Sequence, residues 1–250
     1  MTIALDPSAE QLQILGSVGR LLAEQFPVAR LRGEPAQGAN PAQSVRALAD
    51  LGALGLGLGE DLGGAGFGLL EDMLLFVELG RHLMTPRVLA TVLAARLAAA
   101  RGQQDLTRSL VAGQQAVCLA QALGPWRQEA QAQPVHVFDG DQADWALLWT
   151  EAGIGWVSMA HLQLQALSPT DRSLSLHRAM LDPTLVQFWC PAGDARLQAQ
   201  AQLLLSAQLL GMAQACCDMA VDYAKLRSQF GRPIGSFQAV KHHCADMAVR

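Results

Sequence analysis

Apolar residues recur at every third or fourth position between residues 8 and 114, which is the spacing of helices with one buried side. The pattern is clearest from Leu12 to Leu22 and from Val45 to Leu54. Proline and glycine clusters end the first two helices, and Pro86 lies between a third helix and a fourth that contains residues 88–100. We therefore predict an all-helical N-terminal domain over residues 1–114.

Near residue 116 the spacing changes to short runs that are typical of β-strands. Leucines alternate with polar residues in two of these runs, which predicts a sheet with one buried face. All five tryptophans lie in this region, and we expect most of them to fill its core and rim. We predict a small antiparallel β-sandwich or barrel over residues 115–192, with strands at 116–120, 135–138, 145–149, 154–157, 162–167, 173–177 and 185–189.

The helical period returns near residue 195 and continues to Arg227, a length of about 45 Å at 1.5 Å per residue. Its broad apolar face predicts packing in a helical bundle, and Gly211 predicts a close crossing with another helix. Ser236 is expected to cap the next helix, which continues to the last residue. The predicted fold class is α+β and mostly α, with residues 193–250 as the first two helices of a C-terminal four-helix bundle.

The charge of the chain excludes several partners. The formal net charge is -4 and has no runs of one sign, so the sequence offers no basic surface for nucleic acid or an anionic membrane. No apolar run approaches the roughly 20 residues of a membrane span. The segment Met1 to Asp6 lacks the pattern of a signal peptide, so we predict a cytoplasmic protein.

Cysteine and histidine spacing indicates no metal site. The five cysteines lack C-x-x-C spacing and are expected to be reduced, buried thiols. His242, His243 and Cys244 are adjacent in the chain, but neighbours on a helix do not converge on one ion. We therefore predict no bound metal.

The segment from Tyr223 to Gln238 combines groups that suit a nucleotide-like ligand. Arg227 offers a planar fork of donors for phosphate oxygens, Phe230 offers a ring face, and two glycines allow close backbone approach. The alternative is a helix C-terminus in which Arg227 complements the helix dipole and Phe230 is a core residue.

This segment resembles the FAD-contacting turn of the acyl-CoA dehydrogenase family. In that family the arginine and phenylalanine of an R-x-x-F-G motif reach the cofactor of a neighbouring subunit, and a glutamine in the following helix also contacts it. The resemblance implies that the cofactor-binding residues are Arg227, Gln229, Phe230 and Gln238.

A second, separate stretch is similar to the same family. The run from Ala49 to Gly66, followed by Glu78-Leu-Gly80-Arg81, resembles the family signature LGxxGxxxPExxGGxG … EELGR. Gly59 stands where the family usually has proline. Two matches in the family's order outweigh either one alone.

The resemblance implies a function as well as a fold. In this family FAD lies between the β domain and the helical bundle, a glutamate removes the α-proton of an acyl-CoA, and a hydride passes from the β-carbon to the flavin. It therefore implies FAD as the cofactor and an acyl-CoA as the substrate in lipid β-oxidation. It also implies an electron-transfer flavoprotein-like acceptor, and a homo- or hetero-oligomer of chains from the same family.

Departures from the family pattern leave three functions open. The family strand TEPxxGSD corresponds to Ala120 to Trp126, the helix position of the glutamate holds Ala201, and family members continue beyond Arg250, so we expect a truncated stretch. No catalytic residue is assigned. The chain is predicted to be an acyl-CoA dehydrogenase or a flavin-holding subunit of one; the alternatives are a non-catalytic partner subunit and a flavin-dependent oxidase or monooxygenase.

Overall fold

The computed structural model describes residues 7–32, 40–129, 131–171 and 173–249. A helical region, a β-sheet and a second helical region follow one another along the chain, which confirms the predicted fold class. The N-terminal helices are α1 (Ala9–Gln25), α2 (Pro41–Asp50), α3 (Leu69–Arg81), α4 (Pro86–Ala100) and α5 (Gln104–Val111). The strands of the main sheet are β1 (Val117–Ala122), β2 (Gln133–Phe138), β3 (Trp145–Thr150), β4 (Gly153–Ser158), β5 (Gln165–Leu167), β6 (Leu176–Leu181) and β7 (Gln187–Pro191). The remaining elements are α6 (Ala195–Leu226), β8 (Ser228–Gln229), β9 (Arg232–Pro233) and α7 (Gln238–Val249).

The N-terminal helices begin at residues that satisfy their first backbone donors. Ser8 caps α1, since its Oγ accepts from the backbone N–H of Gln11 at 3.2 Å while Gln11 Oε1 accepts from the Ser8 N–H at 2.8 Å. Thr85 caps α4, with Pro86 in the first helical position. α4 is buried around almost its whole circumference, which makes it the central helix of the core.

The seven strands form one mixed sheet in the order β5-β6-β2-β1-β3-β4-β7. Neighbouring strands pair antiparallel except β1 and β3, which run parallel with Leu119 opposite Leu147. The sheet therefore differs from the antiparallel arrangement expected from sequence in this one pair. β3 reverses direction after β2 but lies on the far side of β1, and apolar alternation along a strand does not encode which strands become its neighbours.

Both faces of the central strands are buried, so the prediction of a single buried face is wrong there. On one face Leu147, Ile154 and Trp156 join the core of the N-terminal helices, because α4 packs across β1 and β3. On the opposite face Val135 and Val137 belong to a second core. Strands covered on both sides lose the simple alternation that a half-exposed sheet shows.

Two glycines allow α3 and α6 to cross at backbone contact. A Cβ atom added to Gly80 would lie 2.0 Å from the carbonyl oxygen of Gln208, and one added to Gly211 would lie 1.9 Å from that of Val77. Both distances are far below van der Waals contact. The prediction that Gly211 permits a close crossing is confirmed, and the crossing fixes how α6 sits on the N-terminal helices.

Replacing Gly211 with alanine is expected to lower the free energy of unfolding by about 1 to 3 kcal/mol, because the added methyl forces the two helices apart. Gly16 provides a control, since it lies in α1 and a methyl group added there would have no atom within 4 Å. Gly16→Ala should instead add up to about 1 kcal/mol through helix propensity. Urea denaturation of both variants checks the prediction, and equal effects would contradict the backbone contact.

From Leu209 onward, α6 leaves apolar side chains in contact with solvent, and so does α7. Leu209, Leu210 and Met219 are 52–55% exposed, and no described residue of α7 is buried. By length and composition alone α6 could cross a membrane, although one face of it packs on α3. The absence of a membrane span stays a prediction.

Ser236 does not cap α7, so that prediction is wrong. Ser236 ends a short 3-10 helix (Ile234–Ser236), Phe237 intervenes, and α7 begins at Gln238. The Ser236 hydroxyl is buried and bonds to no described residue. This 3-10 helix packs against the end of α6, where Gly235 lies beside Ala224.

Candidate functional site

The segment after α6 is a tight hairpin with Phe230 and Gly231 at its tip. β8 and β9 pair antiparallel, and the two tip residues have φ angles of 53° and 77°. Positive φ at both central residues is the geometry of a type I′ turn, whose first position favours Asn, Asp or Gly over a phenylalanine. A phenylalanine in the left-handed region costs about 1 to 2 kcal/mol. The rest of the fold therefore keeps the backbone of Phe230 in a conformation that a phenylalanine disfavours.

The hairpin projects Phe230 into solvent. Its side chain is 93% exposed and touches the Phe237 ring edge-on at a centroid distance of 6.2 Å. The alternative in which Phe230 belongs to the core is therefore wrong. The guanidinium group of Arg232 stacks on the ring of Phe237, with its carbon 4.2 Å from the ring centroid. An exposed aromatic residue in a strained turn is available to a ligand or to another chain.

The other sequence-predicted site residues lie on the same exposed segment. Arg227 is the C-cap of α6; its backbone N–H donates to Tyr223 at 2.8 Å, and its carbonyl accepts from Ile234 at 2.7 Å. The side chains of Arg227, Gln229 and Gln238 are exposed. The Arg227 guanidinium donates to no described residue. Its backbone shapes the turn while its side chain remains free, and the cofactor roles of these residues stay predictions.

A cavity of about 280 Å³ lies where the α3–α4 connection, the sheet and α6 meet. The α3–α4 connection contributes residues 83–85, and α4 contributes Pro86 and Leu89. The loop before β6 contributes residues 171–174 apart from 172. Most of the lining is apolar. Sequence reasoning missed this cavity because its walls come from six separated parts of the chain. The sheet contributes Leu119, Gln121, Phe138 and Trp149, and α6 contributes Leu205, Gln208 and Met212.

A buried polar cluster holds one wall of the cavity in place. Asp139 is 2% exposed and accepts from the Thr85 hydroxyl and from the Ser175 N–H, the latter at 2.8 Å. Burial raises the pKa of the Asp139 carboxyl, while these hydrogen bonds and Arg87 oppose the rise. The Arg87 Nε donates to the Asp139 carbonyl at 2.7 Å, and burial lowers the pKa of its guanidinium. The cluster ties the start of α4 to the sheet beside the cavity.

The residues present fit a part of FAD rather than the whole dinucleotide. The exposed hairpin offers Arg227 for phosphate oxygens and Phe230 for stacking. The cavity volume of about 280 Å³, however, is just below the roughly 300–1,000 Å³ typical of drug-sized ligand pockets, which suits an acyl group and not a dinucleotide. On the sheet side, Gln121 is the polar residue of the wall. The segment that corresponds to the family's flavin-binding strand brings no hydroxyl group to this wall.

No glutamate lines the cavity in the described part of the chain. The carboxylate that does line the cavity belongs to Asp171, an exposed loop residue. Ala201, which resemblance places at the family's glutamate position, is fully buried in the helical core and does not line the cavity. In the described ranges no group of three or more His, Cys, Asp or Glu side chains could hold a metal ion.

Comparison with known proteins identifies the family. Residues 8–112 match the model for the acyl-CoA dehydrogenase N-terminal domain, and residues 198–250 match that for the acyl-CoA dehydrogenase C-terminal domain. The acyl-CoA dehydrogenase IpdE2 of Mycobacterium tuberculosis is 33% identical over 98% of this chain and 73% of its own length. The acyl-CoA dehydrogenase FadE34 of the same organism is 35% identical over 81% of this chain, which spans 29% of that relative.

A solved structure from the same organism has a similar fold. The ChsE4-ChsE5 complex from Mycobacterium tuberculosis superposes with a TM-score of 0.76 at 26% identity, over 99% of this chain and 75% of the matched chain. The two domain models bracket the sheet, and the solved structure extends the likeness across it. The chain belongs to the acyl-CoA dehydrogenase family.

Proposed function

We propose that the protein takes part in the FAD-dependent α,β-desaturation of an acyl-CoA thioester, as the dehydrogenase itself or as a flavin-holding subunit of one. The observation that carries this proposal is the apolar cavity between the sheet and α6, because it offers a half-open cleft with apolar walls for an acyl group. Family membership supplies the reaction class. The exposed hairpin supports a cofactor shared with a neighbouring subunit.

In this proposal the chain's own residues bind and orient the acyl group. Leu89, Leu119 and Leu205 cover it and keep water away, and the backbone contact between α3 and α6 fixes the position of the α6 wall. FAD, when bound, supplies the two-electron acceptor that takes the β-hydride. Arg227 would hold phosphate oxygens and Phe230 would cover a ring of the dinucleotide. Electrons would then leave through an electron-transfer flavoprotein-like acceptor.

A second candidate is a non-catalytic partner subunit. It is favoured by the buried Ala201 at the glutamate position and by a cavity wall on the sheet side that lacks hydroxyl groups. A chain of this kind would keep the fold for assembly and lend Arg227 to a cofactor housed mainly in a homologous subunit. The similar ChsE4-ChsE5 structure is itself a complex of two differently named chains.

Co-purification separates these two candidates. The full-length protein is expressed alone and together with a homologous acyl-CoA dehydrogenase chain from the same genome, and flavin content and acyl-CoA oxidation are measured for each. Flavin and activity in the protein alone support the first candidate. Activity only in the joint preparation, with flavin stoichiometry below one per chain, supports the partner role. Colourless, inactive protein in both preparations would refute the proposal.

A further inference from the structure

Gln208 is a buried polar residue in the apolar wall that α6 gives to the cavity. Its side chain is 6% exposed, and it lies between Leu205 and Met212 on the same helix face, three residues after one and four before the other. The backbone of Gln208 is pressed against Gly80. The carboxamide is therefore presented from a backbone position that the α3–α6 crossing fixes.

The orientation of the Gln208 carboxamide is fixed by its one hydrogen bond. Its Nε2 donates to the carbonyl oxygen of Met84 at 3.2 Å. A backbone carbonyl can only accept, so the nitrogen must face Met84 and the oxygen must face the other way. Within the described ranges Oε1 accepts no hydrogen bond. Gln208 lines the cavity, and Oε1 is the polar atom of its side chain that has no partner in the described part of the chain.

Other polar groups of the cavity do not serve this acceptor. The Thr85 hydroxyl donates to Asp139, and Gln121 is exposed on β1. A plain hydrocarbon that filled the cavity would cover Gln208 Oε1 without replacing its contact with water, which is costly for a buried acceptor. An alcohol O–H would satisfy it, whereas a ketone or an ether has no hydrogen to donate.

We infer that Gln208 is a specificity-determining residue that accepts a hydrogen bond from a hydroxyl group on the acyl body of the substrate. The preferred substrate class is therefore a hydroxylated acyl-CoA. This inference rests on the proposed function, since it requires that the acyl group occupies this cavity. Gln208 takes no part in the proton or hydride transfer.

The test measures equilibrium binding of acyl-CoAs to the full-length, FAD-loaded protein, assembled with its partner chain if it has one. The probes are octanoyl-CoA and a set of its derivatives, each with one hydroxyl at a different carbon beyond the β-carbon. At least one derivative should bind about tenfold more tightly than octanoyl-CoA, the contribution of one hydrogen bond to a buried acceptor. Gln208→Met, which keeps the size but removes the acceptor, should abolish this preference.

The control variant is Gln214→Met, an exposed position on the same helix, which should keep the preference. If Gln208 only supports Met84, Gln208→Met would weaken all probes equally, and that result would overturn the inference. Equal binding of all probes by the unchanged protein would overturn it too, while leaving the proposed function in place. If no acyl-CoA binds, octanoyl-CoA included, both the inference about Gln208 and the proposed function are wrong.

Discussion

Replacing Arg96 with methionine is expected to lower the free energy of unfolding by about 3 to 5 kcal/mol near neutral pH. Arg96 donates from Nη2 to Asp72, and the two side chains are 8% and 1% exposed. Methionine fills much of the same space without a charge, so Asp72 would remain buried with no counterion. Urea denaturation followed by circular dichroism measures the loss.

The loss should depend on pH. Burial raises the pKa of Asp72 to about 6, and Arg96 opposes that rise, so removing Arg96 raises the pKa further. A carboxyl whose folded-state pKa lies above its unfolded value of 3.8 favours folding at low pH and loses that contribution as the pH rises through the folded-state pKa. The variant should therefore differ less from the unchanged protein at about pH 5 than at about pH 8.

Two further variants make the test specific. Arg96→Met combined with Asp72→Leu should recover most of the lost stability, because an apolar pair can replace a buried ion pair. Arg108→Met removes an exposed arginine that pairs with Asp105 at 3.0 Å and should cost less than about 1 kcal/mol. A loss for Arg96→Met that is the same at both pH values would contradict the buried, ionisable Asp72.

Replacing Arg227 with alanine is expected to weaken FAD binding by about ten- to a hundredfold, the contribution of hydrogen bonds from a charged group. The free energy of unfolding should change by less than about 0.5 kcal/mol, because the exposed side chain bonds to no described residue. Alanine retains both backbone hydrogen bonds of the turn. Flavin titration of the assembled oligomer and urea denaturation give the two quantities.

Lys225→Ala is the matched control, since it removes an exposed cation from the same helix end, where Lys225 pairs with Asp222 at 3.2 Å. It should leave FAD binding unchanged. Unchanged flavin content in Arg227→Ala, together with a large loss of stability, would assign Arg227 to the helix terminus and not to the cofactor.

The order of helices and strands could be predicted from local patterns. Pro86 indicates where α4 begins, and apolar spacing finds all seven strands of the sheet to within a few residues. The neighbour of each strand could not be predicted, because the parallel pairing of β1 with β3 depends on contacts far apart in the chain. The prediction at Ser236 failed because Ser236 still belongs to the 3-10 helix and lies one residue before the cap position of α7.

Some residues of the candidate site could likewise be predicted from the sequence, and others could not. Arg227 and Phe230 are visible in the sequence because they form one contiguous motif. Gln208 is not, since nothing in a long amphipathic helix distinguishes it from Gln214 until the crossing at Gly80 and Gly211 fixes which face meets the cavity. A functional motif within one segment can be recognised in the sequence. The walls of a cavity cannot, because they depend on how several distant segments pack together.

The proposed desaturation can be measured by adding acyl-CoA to the FAD-loaded, full-length protein without oxygen, in the assembly in which it purifies. We predict that the flavin absorption band is bleached and that one 2-enoyl-CoA forms for each flavin reduced. An unchanged flavin band with a series of straight-chain, hydroxylated and ring-bearing acyl-CoAs, in the presence of the homologous chain, would contradict it.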